Sequence, residues 1–141
     1  MAKRIPKYTS ADPLRQFTKA GEDLDFEIAF YERLLTDKPD FLDALVSLGS
    51  AYTRKGLYDK GLSIDLRLVH LKPEEPLAWY NLACSYSLLK RLAESLEALS
   101  QAFRYGYDDL QHLQRDPDLH HVRQTKAFQD FLAKFTQRDP R

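Results

Sequence analysis

Most of what would tie a chain to chemistry or to a membrane is scarce in this sequence. Cys84 is the only cysteine, so no internal disulfide can form and a reducing compartment is the expected setting. The five glycines are isolated, which leaves no glycine-rich loop to cradle a phosphate. No run approaches the ~18 apolar residues of a membrane-spanning helix. The basic start Met1-Ala-Lys-Arg-Ile-Pro-Lys has no apolar segment behind it, so a secretion signal is not expected. Charge of one sign is missing too. The 21 basic and 21 acidic residues cancel, and a neutral chain has no overall field to gather nucleic acid or an anionic membrane. Strand-like alternation of apolar and polar residues is absent. The expectation is a single cytoplasmic, all-α domain.

What is present is helical periodicity cut into pieces by proline and glycine. Residues 1–11 read as a flexible basic tail. Asp12-Pro13 is a good helix start, an N-cap oxygen followed by proline at the first helical position, and Gly21 should end that helix. Over 23–37, Leu24, Ile28, Tyr31, Leu34 and Leu35 fall at helical spacing, until Lys38-Pro39 stops the run. Two hairpins follow, 41–54 with 58–71 turned at Lys55-Gly56, and 75–89 with 92–105 turned at Lys90-Arg91. Gly106 suits a left-handed C-cap. Asp108 opens a short helix to about Gln114, Asp116-Pro117 restarts a turn, and 126–137 carries Phe128, Phe131, Leu132 and Phe135 on one face.

The chain also matches itself thirty-four residues on. Leu45-Val-Ser-Leu48-Gly49-Ser-Ala-Tyr52 returns as Trp79-Tyr-Asn-Leu82-Ala83-Cys-Ser-Tyr86, and Pro39 returns as Pro73. A fixed period of this length marks stacked helix hairpins. The spacing resembles the tetratricopeptide repeat, which runs W-x2-L-G-x2-Y, then A-x3-F, then P. The downstream pair departs from it: Gly61-x3-Asp65 and Ser95-x3-Leu99 keep the small residue, but Asp65 stands in an aromatic's place. Tyr107 replaces the closing proline. The resemblance implies a right-handed α-α superhelix with a degenerate repeat at 12–38, full repeats at about 41–73 and 75–106, and capping helices over 107–141. The tail resembles endings of bacterial proteins of this family, and would cover the apolar face that the last repeat leaves bare.

In such repeats the first helix of each hairpin lines the concave side. With Leu45, Leu48, Tyr52, Trp79, Leu82 and Tyr86 assigned to the core, the resemblance leaves Asp43, Val46, Ser47, Ser50 and Arg54 facing the groove. From the second repeat it leaves Leu77, Tyr80, Asn81, Cys84, Ser87 and Leu88. This mixture suits a peptide, with Tyr80 as an anchor and Arg54 and Asn81 fixing backbone or carboxylate groups. A subset of the family clamps acidic chaperone tails with Lys and Asn residues. Only Asn81 and, in a broken register, Arg115 match that clamp, while Val46, Ser50 and Gln111 do not, so that docking mode is not expected.

No chemistry is indicated. His112, His120 and His121 cluster with Asp116 and Asp118, but adjacent histidines on a helix point to different faces and no cysteines stand at zinc spacing. Cys84 has no base in a local motif and reads as a packing residue. Glu74-Glu75 and Asp23-Asp25 sit at helix starts, where negative charge is favourable without catalysis. The function expected is a non-catalytic interaction module, adaptor- or co-chaperone-like, without cofactor or metal. It would bind a protein or peptide as a monomer or weak homodimer. The alternatives are a dimeric chaperone of secreted substrates or an accessory subunit of an enzyme complex.

Overall fold

The computed structural model describes residues 22–138, and every regular element within them is a helix. Five run in succession, each packed on the next: α1 (Glu22–Asp37), α2 (Leu42–Lys55), α3 (Tyr58–Leu71), α4 (Pro76–Leu88) and α5 (Leu92–Arg104). A folded-back segment follows, made of α6 (Leu110–Arg115), a 3₁₀ turn (Pro117–Leu119), α7 (His120–Arg123) and α8 (Lys126–Arg138). The fold is all-α, and these helices start and stop within a residue or two of the places read from the sequence. The basic tail and the helix expected after Asp12-Pro13 lie outside the described residues.

The hairpins close by one device used three times. After α2, Gly56 takes a left-handed φ of 86°, its N–H bonds Thr53 O (3.1 Å), and Leu57 N–H reaches back to Tyr52 O (2.9 Å). After α5, Gly106 (φ 109°) and Tyr107 repeat both bonds on Phe103 and Ala102. Between them, Lys90 holds the same place at φ 61°, bonding Ser87 O, while Arg91 bonds Tyr86 O. A left-handed residue with paired back-bonds satisfies the last carbonyls of a helix and reverses the chain in few residues. That reversal lays successive helices side by side.

Leucines and alanines fill the stack: Leu45, Leu48 and Ala51 of α2, Leu68 of α3, Ala78 and Ala83 of α4, and Leu99 and Ala102 of α5 are all buried. Small residues set the closest approaches. A Cβ on Gly61 would stand 3.4 Å from Thr53 Oγ1, and Ser95, thirty-four residues on, donates its hydroxyl to Ala83 O (2.8 Å).

Asp65, which stands in the place of an aromatic, is fully buried and accepts a hydrogen bond from Ser85 Oγ of α4 (2.5 Å). A polar link thus joins the two hairpins where the repeat pattern would put a ring. Removing one partner of a buried polar pair leaves the other desolvated. Asp65→Ala should therefore cost about 2–4 kcal/mol in urea unfolding, with Ser85→Ala costing less. A double mutant equal to the sum of the singles would show that the link contributes nothing.

Two expected core residues pack against the core from its margin rather than inside it. Trp79 is half-buried at the edge, its indole Nε1 donating to Pro73 O (2.7 Å), and Tyr86 is half-buried under the Arg91 guanidinium (5.0 Å from the ring centroid). Their neighbour Tyr80 is the aromatic that goes fully inside.

Candidate functional site

The inner face of α4 is not an open wall, because the segment after α5 lies across it. Tyr80 is 0% exposed. Its ring stacks on Tyr107 with centroids 4.5 Å apart and planes 15° from parallel, and its hydroxyl donates to Asp116 Oδ2 (3.0 Å). Asp116, 1% exposed, ties the segment together. Its Oδ1 accepts the Asp118 N–H (3.0 Å), and Oδ2 also lies 3.8 Å from Cys84 Sγ and 3.2 Å from His112 Nε2. Farther along, Val122 N–H donates to Ser87 Oγ (3.2 Å). Arg123 Nη1 donates to the carbonyls of Leu113 (3.2 Å) and Asp116 (2.6 Å), closing the segment on itself.

Local sequence explains the path. Asp109 caps α6, its carboxylate accepting from His112 N–H (3.0 Å), one residue beyond the Asp108 expected for that role. Asp116-Pro117 then starts the 3₁₀ turn, with a capping carboxylate before a proline whose φ is already helical. The same carboxylate that caps this turn reaches Tyr80. One side chain therefore both shapes the segment and docks it.

The expected groove is therefore mostly interior. Of its residues, Asp43 is exposed and Val46, Ser47, Leu77 and Leu88 are half-buried, but Ser50, Arg54, Tyr80, Asn81, Cys84 and Ser87 are buried. Tyr80, Cys84 and Ser87 are covered by the chain's own residues 107–122, and Arg54 is turned to Glu27 of α1 (2.5 Å). Tyr80 is no solvent-facing anchor and Arg54 is no free cation, which corrects both expected roles. Tyr107, His112, Asp116 and Val122 belong to the site although periodicity did not mark them. The signals for them were Tyr107 in the place of the closing proline and the Asp-Pro restart at 116.

Three tyrosine hydroxyls have pKa values pushed above the ordinary 10, and burial is the first cause in each. At Tyr80 the charges of Cys84 and Asp116 add to it; at Tyr52 the hydrogen bond to Glu32 does; at Tyr107 the hydrogen bond with Tyr80 pulls the other way. A group that keeps its proton in the folded state while the unfolded chain loses it contributes stability that is full below the unfolded value. That stability drains as pH rises further. Unfolding free energy should thus fall above pH 10. Tyr80→Phe should flatten that fall by about 1.4 kcal/mol per pH unit, whatever it costs at neutral pH. Urea titrations at several alkaline pH values would read the slope, and an unchanged slope would mean that Tyr80 ionises freely.

Elsewhere on the described surface, apolar residues gather in a cleft and on the outer side of α1. A cleft of about 680 Å³ opens between α5 and α8, floored by Leu96, Phe131 and Phe135. On α1, Phe26 and Phe30 project into solvent, 74% and 52% exposed. His120 and His121 stand edge to face, 5.7 Å apart, and among the described residues no three His, Cys, Asp or Glu side chains come together as metal ligands would.

No protein-family model and no solved structure matches the chain. It is similar to a chloroplastic protein of Arabidopsis thaliana. The two are 34% identical over 92 residues, which is 63% of this chain and 28% of that protein. The chain thus spans well under a third of that relative's length. None of the described helices is long and apolar enough to cross a membrane.

Proposed function

We propose that this protein is a small interaction module of the tetratricopeptide type, adaptor- or co-chaperone-like, working without chemistry or cofactor in a reducing, aqueous compartment such as the cytoplasm. The observation that supports this most is the concave side of α4, which already holds a peptide segment. Residues 107–122 are gripped there by an aromatic stack, a buried carboxylate and a main-chain hydrogen bond. Helical-repeat proteins present extended concave surfaces to their partners, and a segment seated on one is the arrangement such a surface offers a foreign peptide. The expected groove residues left accessible to a partner are Asp43, Val46 and Ser47 of α2 and Leu77 and Leu88 of α4.

Photo-crosslinkers at Ser47 on the inner wall and at Leu66 on the outer face of α3 test this reading in lysate of the source organism. Leu66 is 43% exposed and serves as the control face. A protein crosslinked from Ser47 and not from Leu66, and lost on adding charge at Val46, is the expected result. Crosslinks only from Leu66, or none at either position, would remove the inner wall as the binding face.

A further inference from the structure

The cleft between α5 and α8 is built from two facing stripes. Leu96, Ser100 and Arg104 recur every four residues on α5, and Ala127, Phe131 and Phe135 do so on α8. Residues four apart lie on one helix face, so each stripe runs about two turns, roughly 12 Å along its helix. Leu96, Phe131 and Phe135 are half-buried and give the cleft an apolar floor. Charge gathers at one end. Phe103 meets Phe135 with ring centroids 4.4 Å apart, so Arg104 and Lys134, each next in the chain to one of these rings, share that end. Both are exposed, and among the described residues neither has an ion-pair partner. The Arg104 guanidinium lies over the Tyr105 ring instead (5.7 Å). Asp130, the one carboxylate lining the cleft, is held by Lys126 (3.2 Å). Glu94 and Glu97 lie on other stripes of α5, bonded to Arg91 (2.7 Å) and Gln101 (3.4 Å).

We propose that this cleft is a docking site for an acidic amphipathic helix of a foreign protein. An apolar floor between two helical walls takes the apolar face of a third helix, which is the helix-in-groove mode of recognition. The two cations without ion-pair partners choose the sign. Carboxylates on the visiting helix would meet them, and lysines would be repelled. Residues 1–21 of this chain carry Lys3, Arg4, Lys7, Arg15 and Lys19 against Asp12 alone, the wrong sign for this rim. The inference stands apart from the adaptor reading, since the cleft belongs to α5 and α8 and the inner wall to α2 and α4.

Two fluorescein-labelled helical peptides test it, sharing one Leu/Phe face and carrying either Glu or Lys at every other position. Titrated with the full chain, the Glu peptide should bind about tenfold more tightly than the Lys peptide. That gap should narrow as salt screens the rim. Arg104→Glu/Lys134→Glu should reverse the order without changing the melting curve. Ser100→Trp, which fills the cleft and leaves its floor in place, should abolish binding of the Glu peptide. No binding of that peptide up to about 1 mM would overturn the proposal. Equal affinity for the two peptides, or a preference unmoved by the charge reversal, would overturn it as well. Binding that survives Ser100→Trp would move the site to another face and sink the idea. Sedimentation without peptide checks the rival occupant: a mass that rises with concentration, but not in Ser100→Trp, would give the cleft to a second copy and overturn the proposal.

Discussion

A chain ending at Gly106 should lose its cooperative thermal transition, or melt more than about 20 °C below the full-length protein. The removed segment supplies Leu113, Leu119, Val122 and Phe128, each at most 1% exposed. At about 1.5–3 kcal/mol for each fully buried side chain, its apolar contribution is on the order of 10 kcal/mol, comparable with the whole stability of a domain. The entropy recovered by not ordering the segment offsets part of that. The rest of the cost lies in what is uncovered, since Tyr80, Cys84 and Ser87 would meet water along the inner face of α4. Calorimetry with sedimentation would read both consequences, a lowered transition and aggregation. A truncated chain that stays monomeric and melts with the parent would show that residues 107–141 cover nothing of consequence.

Asp116→Ala should be the most damaging single substitution in the segment, at about 3–5 kcal/mol. The carboxylate is fully buried and serves Tyr80 OH, Asp118 N–H and the Cys84 thiol, with His112 beside it. Deleting it strands a buried phenol and a backbone N–H together, and each unpaired group costs about 1–3 kcal/mol. Asp116→Asn keeps an oxygen to cap the 3₁₀ turn and should cost less than half as much. Thiol labelling separates a local effect from a global one. If the segment lifts from α4, Cys84 should react faster in Asp116→Ala even well below the melting temperature, because local opening then exposes it. Equal labelling rates in parent and variant, with a shift in melting below about 1 kcal/mol, would remove Asp116 from its docking role.

The legibility of the site differs sharply from that of the fold. Leu45, Leu48 and Ala51 come out buried as their spacing implies, and the turns at Gly56 and Gly106 have the left-handed backbone their glycines suggest. Lys90 shows the limit of residue type: it adopts the same conformation without being glycine, and only its register relative to Gly56 gave it away. Tyr80 and Trp79 mark the larger failure. Adjacent residues on a helix point about 100° apart, so the sequence could say that the two aromatics face different sides of α4. It could not say that the Tyr80 side of α4 is covered by residues 107–122.

Sequence alone determined the all-α class, the hairpin period and the helix boundaries, because these depend on capping groups, proline, glycine and apolar spacing within a few residues of one another. Tertiary structure decided which residues are surface. Tyr80 meets Asp116 across thirty-six positions and Ser87 meets Val122 across thirty-five, and neither pairing repeats in the array. Burial is a property of whatever lies opposite a side chain, and a local pattern holds no record of a segment folding back from farther down the chain.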